Sequence, residues 1–246
     1  MKSKIINSTL KVDEILVPVE VYREFRMDVR TAIKLDKVII RLPLHYGNAD
    51  IKKTIRYAED WVKVHFQKNT ALKNRFIIKE HNNGDELLIN GVKFILEIKE
   101  SDIDNYRAKL DKNIIKIEIP YNANILEKKE ALVYLQSRIV GQYFLDEIKT
   151  RIEILNNKHF KVKINDIKMK YNKTNWGSRS GQGNINICTR LLFAPKEVQD
   201  YVFVHELAHF FEMNHSEKFW RIVEKVVPDY KQKEKWLKLN SRKCDF

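Results

Sequence analysis

His205-Glu206-Leu207-Ala208-His209 sets two imidazoles four positions apart, with a carboxylate directly after the first. On a helix, residues four apart share a face, so both rings can reach one cation. The next residue along lies about 100° round the helix. Glu206 would therefore stand beside the cation, where it can take a proton from bound water. His215 follows further on, at a spacing too long for the same helical face. A third nitrogen can arrive only if the helix ends and the chain folds back, and Asn214 is a candidate left-handed stop. Three neutral imidazoles would leave a fourth position of a tetrahedral zinc open for water, as catalytic zinc sites do. Glu212, one turn past His209 on the same face, is the alternative third ligand, with His215 then an outer partner.

These residues need a helix to carry them. Pro195 suits a first turn, and 196–213 reads as that helix. Placed at 100° intervals, Phe203, Val204, Leu207, Phe210 and Phe211 form an apolar face. Val198, Val202, His205, His209 and Glu212 form the other. Two further helices are expected over 217–227 and 229–240, split at Pro228. Upstream, 160–164 and 167–171 alternate like the strands of a hairpin. The segment 175–183 is a Gly/Ser turn, and Asn184 to Cys188 is a short strand.

The first half reads as strands and turns followed by helices. Residues 12–27 and 37–42 have strand character, Pro43 stops the second, and a helix begins near Asn48. Ile51, Ile55, Ala58, Trp61, Val62 and His65 recur at its period. A similar passage ends at Pro120 and leads into a long helix over 125–155. Lys34-Leu35-Asp36-Lys37 is repeated as Lys109-Leu110-Asp111-Lys112, and Asp13-Glu14-Ile15-Leu16 is echoed by Asp85-Glu86-Leu87-Leu88. The shared order suggests an internal duplication. The expected division is a β-rich module over 1–120 and a metal-binding domain over 121–246.

The chain has 246 residues, 43% apolar, which is ample for a core and excludes a disordered chain. Seven Gly and five Pro exclude collagen-like and low-complexity classes. No uncharged apolar stretch is long enough for a membrane helix, and the first residues lack the apolar region of a secretory signal. Two cysteines, Cys188 and Cys244, make no disulfide framework. These features predict a cytoplasmic protein with no membrane contact. The net charge of +13 would attract nucleic acid, although its Lys-rich composition also suits a merely solvated surface.

Three stretches carry a resemblance. HELAHFFEMNHSEKFW (205–220) is preceded by NWGSRSGQGNINICTRLLFAP (175–195) and followed by VVPDYKQKEKWL (226–237). Together they resemble the YgjP-like metallopeptidases, zincins related to the SprT-like proteases. Arg179 stands where the family pattern, Trp-Gly-Ser-Cys, has its cysteine. The resemblance implies an α+β fold with a zincin-like C-terminal metallopeptidase domain, and the strand pattern upstream adds a preceding antiparallel β-rich module with flanking helices. The resemblance also implies one zinc per chain on His205, His209 and His215. With Glu206 as general base, the expected activity is hydrolysis of a peptide or protein substrate. In zincins an edge strand before the active helix lines the cleft, which makes Trp176, Asn184 and Asn186 candidate groove residues. Tyr230 is a candidate oxyanion donor or a core residue. Two alternatives stay open: a DNA-associated SprT-like protease or repair factor, and a non-catalytic binding module containing zinc.

Overall fold

The structure is a computed structural model that describes residues 5–34, 36–74, 76–77 and 79–246. The chain divides into two compact units, Met1–Lys79 and Glu80–Phe246.

The first unit opens with a hairpin of β1 (Ile5–Val12) and β2 (Ile15–Glu24), turned at Asp13 with φ 54°. β3 (Arg30–Ile33) and β4 (Val38–Pro43) pair antiparallel, and β4 inserts parallel to β2, giving the order β1-β2-β4-β3. Helix α1 (Asn48–Lys68) follows, and its entry is fixed by the Gly47 N–H donating to the Asp50 carboxylate at 2.9 Å. A short helix, α2 (Thr70–Lys73), ends the unit's regular structure. Strand alternation puts Val17, Val19, Val21, Val38, Ile40 and Leu42 on one face, packed on Ile51, Ala58, Val62 and Phe66 of α1. Trp61 and His65, which share the helical period, stay at the rim, their ring centroids 4.0 Å apart and tilted at 40°.

The second unit begins with the same arrangement. β5 (Glu86–Ile89), β6 (Val92–Ser101), β7 (Arg107–Asp111) and β8 (Ile114–Pro120) run in the order β5-β6-β8-β7, again with a parallel central pair. Both sheets are therefore mixed, where the sequence suggested purely antiparallel pairing. Each fourth strand lies between the second and third strands rather than at an edge. Leu10 and Leu87 stand 77 positions apart and are both buried. The same offset relates Val12 to Ile89, Val17 to Phe94, Val19 to Leu96 and Val38 to Ile115, all of them buried. It also relates Ile40 to Ile117 and Leu42 to Ile119, again buried, and the strand-ending Pro43 to Pro120. The helix starts, Asn48 and Ile125, keep it too. The short identities noted in the sequence fall at other spacings. Asp13 stands in the first hairpin turn, where the second sheet has Asn90-Gly91, both at positive φ. Leu35, inside the first Lys-Leu-Asp-Lys, lies outside the described residues.

Helix α3 (Ile125–Leu155) starts at Asn124, whose side chain accepts the Glu127 N–H at 2.9 Å. It ends in a π turn, Asn156–Phe160. The Asn156 side chain then clamps the chain reversal, accepting from Val162 N–H at 2.9 Å and donating to Val162 C=O at 2.8 Å. No strand forms over 160–164, contrary to the hairpin expectation. β9 (Asp166–Lys170) pairs parallel with β11 (Asn184–Cys188), while β10 (Gly177–Arg179) lies antiparallel on the other side of β11. A 3-10 turn (Thr189–Phe193) leads to α4 (Lys196–Ala208), α5 (Glu217–Val226) and α6 (Tyr230–Asn240). Helix α4 stops short of the expected residue 213.

One core joins Phe94, Ile115 and Ile117 of the second sheet to Phe144 and Ile148 of α3 and to Phe203, Val204 and Leu207 of α4. This shared core is why the chain divides at Lys79 and not at 120. Helix α4 is enclosed on nearly all sides, so Val198 and Val202 are buried along with Phe203 and Leu207, whereas Phe211, beyond its end, is 57% exposed. No helix of the described residues is long and apolar enough to cross a membrane.

Arg190 ties the C-terminal segment to the loop before β10. It is 6% exposed and donates to Cys244 C=O at 2.8 Å, to Lys173 C=O at 3.0 Å and to Ser241 C=O. Its guanidinium lies 5.0 Å from the Trp176 ring. Arg190→Ala strands the buried Cys244 carbonyl, frees the other two and is expected to cost about 3 kcal/mol, read as a lower denaturant midpoint. Arg190→Lys should recover little, because an ammonium cannot span that fork.

Candidate metal centre and active site

Helix α4 delivers His205, Glu206 and His209 in its last turn, and His209 is its C-cap residue. The turn then tightens: Phe210 N–H donates to Leu207 C=O at 3.1 Å and Phe211 N–H to Ala208 C=O at 3.0 Å. Asn214 does not take a left-handed conformation. Ser216 makes the reversal instead. Its N–H donates to Asn214 C=O at 2.8 Å, and its hydroxyl caps α5 by accepting from Phe219 N–H at 3.4 Å. His215 is thereby folded back over α4.

One ring nitrogen from each of His205, His209 and His215 lies within 4.8 Å of the others, and His205 Nε2 and His215 Nε2 are 3.0 Å apart. His209 Nδ1 lies 3.1 Å from the Glu212 carbonyl oxygen, a contact that makes Nδ1 the N–H donor and leaves Nε2 with a free lone pair. Glu212 thus acts through its backbone, and its carboxylate is not part of the cluster. Phe219, wholly buried, is the floor of the site, with its ring centroid 4.8, 4.6 and 4.8 Å from those of His205, His209 and His215. Trp220 stacks on His215 at 5.8 Å and on Tyr230 at 4.9 Å. Tyr230 is 8% exposed and is a packing residue.

Burial, reinforced by the neighbouring His209 and His215, depresses His205 to a pKa of about 3. His209 is lowered chiefly by burial, with the charges of His215 and Arg179 acting in the same direction. Neutral imidazoles are the form a metal requires. Glu206 is 4% exposed, and burial pushes its carboxyl up to about 8. Its Oε2 is buried with no hydrogen-bond partner among the described residues. A neutral nitrogen triad beside an orphaned carboxyl fits a divalent cation, and nitrogen donors with room for a further ligand suit zinc.

The backbone of β10 lies against this carboxyl. A Cβ on Gly177 would fall 2.6 Å from Glu206 Oε1, so only glycine permits the approach. Gly177→Ala is expected to displace Glu206 and slow hydrolysis about tenfold, with zinc content unchanged by elemental analysis.

The groove residues expected from sequence are not gathered here. Cross-strand pairing sets Ile185 opposite Arg179 and Ile187 opposite Gly177, so these four share the face toward α4. Asn184 and Asn186 alternate with them and belong to the opposite face, on a central strand with both edges paired. Trp176 packs on Arg190. Sequence reasoning passed over Gly177 and Phe219. A glycine beside a strand and a Phe-Trp pair after the last histidine were the available signals.

An HExxH helix, a third histidine folded back on it and a buried carboxyl in an α+β frame define a zinc-dependent hydrolase of the zincin type. The chain belongs to the YgjP-like metallopeptidase domain family, whose model matches residues 27–240. No curated protein shows significant similarity to it. Among solved structures, the metallopeptidase zymogen of Pyrococcus abyssi abylysin is 25% identical, with a TM-score of 0.35 over 39% of this chain and 93% of that one. The metallopeptidase zymogen of Methanocaldococcus jannaschii jannalysin is 24% identical, with a TM-score of 0.29 over 32% of this chain and 79% of that one.

Proposed function

We propose that this protein is a peptidase that holds zinc through His205, His209 and His215 and uses Glu206 as its general base. The observation that carries the reading is the position of Glu206: buried, unpartnered and next to the triad without belonging to it. A purely structural site has no use for such a group. Zinc bound there supplies a Lewis acid that polarises a carbonyl and acidifies water. Glu206 accepts the proton of the attacking water and returns it to the leaving amine. Phe219 and the Glu212 carbonyl hold the three rings in place.

A peptide substrate is supported by β10. It is the edge strand of its sheet. Trp176 C=O accepts from Cys188 N–H, and Ser180 N–H donates to Asn184 C=O. Alternation therefore turns the N–H and C=O groups of Gly177 and Arg179 to the free side. An extended chain can pair there beside Glu206. The free thiols of Cys188 and Cys244 suit a reducing cytoplasm. The constant offset between the two sheets supports an ancestral duplication of one sheet-and-helix module.

The test is digestion of an unfolded protein by the zinc-loaded enzyme, with new termini read by mass spectrometry. Discrete internal cuts are expected, and their absence would overturn the peptidase reading. The net charge of +13 supports a nucleic-acid contact as a second reading. Repeating the digestion with DNA across a salt series tests it, because such stimulation must fall steeply with salt.

A further inference from the structure

We propose that Arg179 is a receptor for a carboxylate of the substrate, so that the protein selects polypeptides with an acidic side chain, or a free C-terminal carboxylate, beside the cleaved bond. The inference rests on the peptidase reading above and adds the substrate's charge.

Arg179 is the last residue of β10, two positions from Gly177, so both face α4. Gly177 meets Glu206. Arg179 reaches the end of α4, with its guanidinium 4.5 Å from the Phe210 ring and Nη1 3.0 Å from Met213 Sδ. Thioether sulfur is a weak acceptor, and Arg179 Nε is buried with no hydrogen-bond partner. Among the described residues Arg179 makes no ion pair. Arg26 reaches Asp28 at 2.8 Å, Arg151 reaches Asp200 at 2.6 Å and Arg190 reaches Asp245 at 3.5 Å, whereas Arg23 shares an unpartnered Nε but lies on β2 of the first unit, and the histidine triad belongs to the second.

A partly desolvated guanidinium with no anion is costly unless something else supplies one. Here Phe210 and Met213 hold the guanidinium itself while no anion meets it. That is a preorganised fork, and a carboxylate fits across its two terminal nitrogens. Its place on the edge strand sets the distance. Two residues of a strand span about 7 Å. A peptide paired along β10 repeats its side chains at the same interval. The residue that meets Arg179 is therefore about two positions along the peptide from the one beside Glu206. A side-chain carboxylate there would be found within longer chains. A C-terminal carboxylate would confine cleavage to chain ends.

The test uses the full-length zinc-loaded protein and a peptide library, half of it amidated at the C-terminus, with cleavage sites read by mass spectrometry. Asp and Glu should be enriched at one position about two residues from the cut. Enrichment that survives amidation assigns the side chain, and loss on amidation assigns the terminus. Arg179→Glu should lower the ratio of acidic to basic residues at that position at least about tenfold, with zinc retained. Arg179→Lys should restore part of it. The same cleavage profile in wild type and Arg179→Glu would overturn the inference while leaving the peptidase intact.

A binding arm does not depend on turnover. Zinc-loaded Glu206→Gln protein is titrated into a labelled Glu-containing peptide and its Gln-matched twin, and anisotropy is followed. The acidic peptide should bind about tenfold tighter, and Arg179→Glu in the same background should abolish the difference. Equal binding overturns the receptor whether or not peptides are cut. Arg179-dependent preference without any cleavage would sustain the receptor and remove the peptidase.

Discussion

Glu206→Gln is expected to leave zinc in place and to cut hydrolysis about 10²- to 10⁴-fold, the range for a positioned general base. The amide keeps the size and shape of a side chain packed against Gly177, where there is no room for anything larger. It removes only the ability to take a proton. In the metal-free protein burial drives this carboxyl up to about 8, so there the substitution removes no buried charge below that pH. The metal-free variant should be at least as stable as metal-free wild type near neutrality. The check is a paired one, zinc by elemental analysis and cleavage of an unfolded protein. An unchanged rate with zinc retained would remove Glu206 from the mechanism.

His209→Ala should weaken zinc binding by at least about 100-fold, beyond the 10- to 100-fold typical of an outer partner. The cluster offers one nitrogen from each of three histidines, so losing one leaves a two-point site. His205→Ala and His215→Ala should follow in the same direction. Glu212→Gln should not, because that residue meets His209 only through its backbone carbonyl. Competition against a chromophoric chelator orders the four variants. Full affinity in His215→Ala together with its loss in Glu212→Gln would show that the carboxylate is a ligand.

The helices were the most legible part of the chain. The period of Ile51, Ala58 and Val62 marked α1, and the helix expected over 125–155 matches α3 at both ends, with Asn124 capping the first. The pattern of three histidines and a glutamate was readable because its spacing is helical at one end and needs only a single reversal at the other. What could not be read was non-local. The parallel pairing of β9 with β11 joins segments separated by the β10 loop, and nothing in either strand's alternation declares its partner. For the same reason Asn184 and Asn186 seemed suited to a cleft that their sheet turns away from them. The π turn at Asn156 depends on a side chain clamping a backbone six residues on, and in sequence Phe160 to Ile164 still alternates like a strand. Likeness between the two sheets lies in burial and register more than in identity. The short identical strings fall at other offsets, while Leu10 and Leu87 or Ile40 and Ile117 are buried at equivalent places in the two sheets. Gly177 escaped notice because a glycine in a Gly/Ser segment reads as a turn, and its true constraint is a carboxyl from another element.

The account stands most directly on a zinc titration of the metal-free protein, with bound metal and hydrolysis of an unfolded protein measured in the same samples. Hydrolysis should rise in proportion to bound zinc and saturate at one zinc per chain. Hydrolysis by the metal-free protein, or a full complement of zinc on the three histidines with no hydrolysis at all, would contradict it.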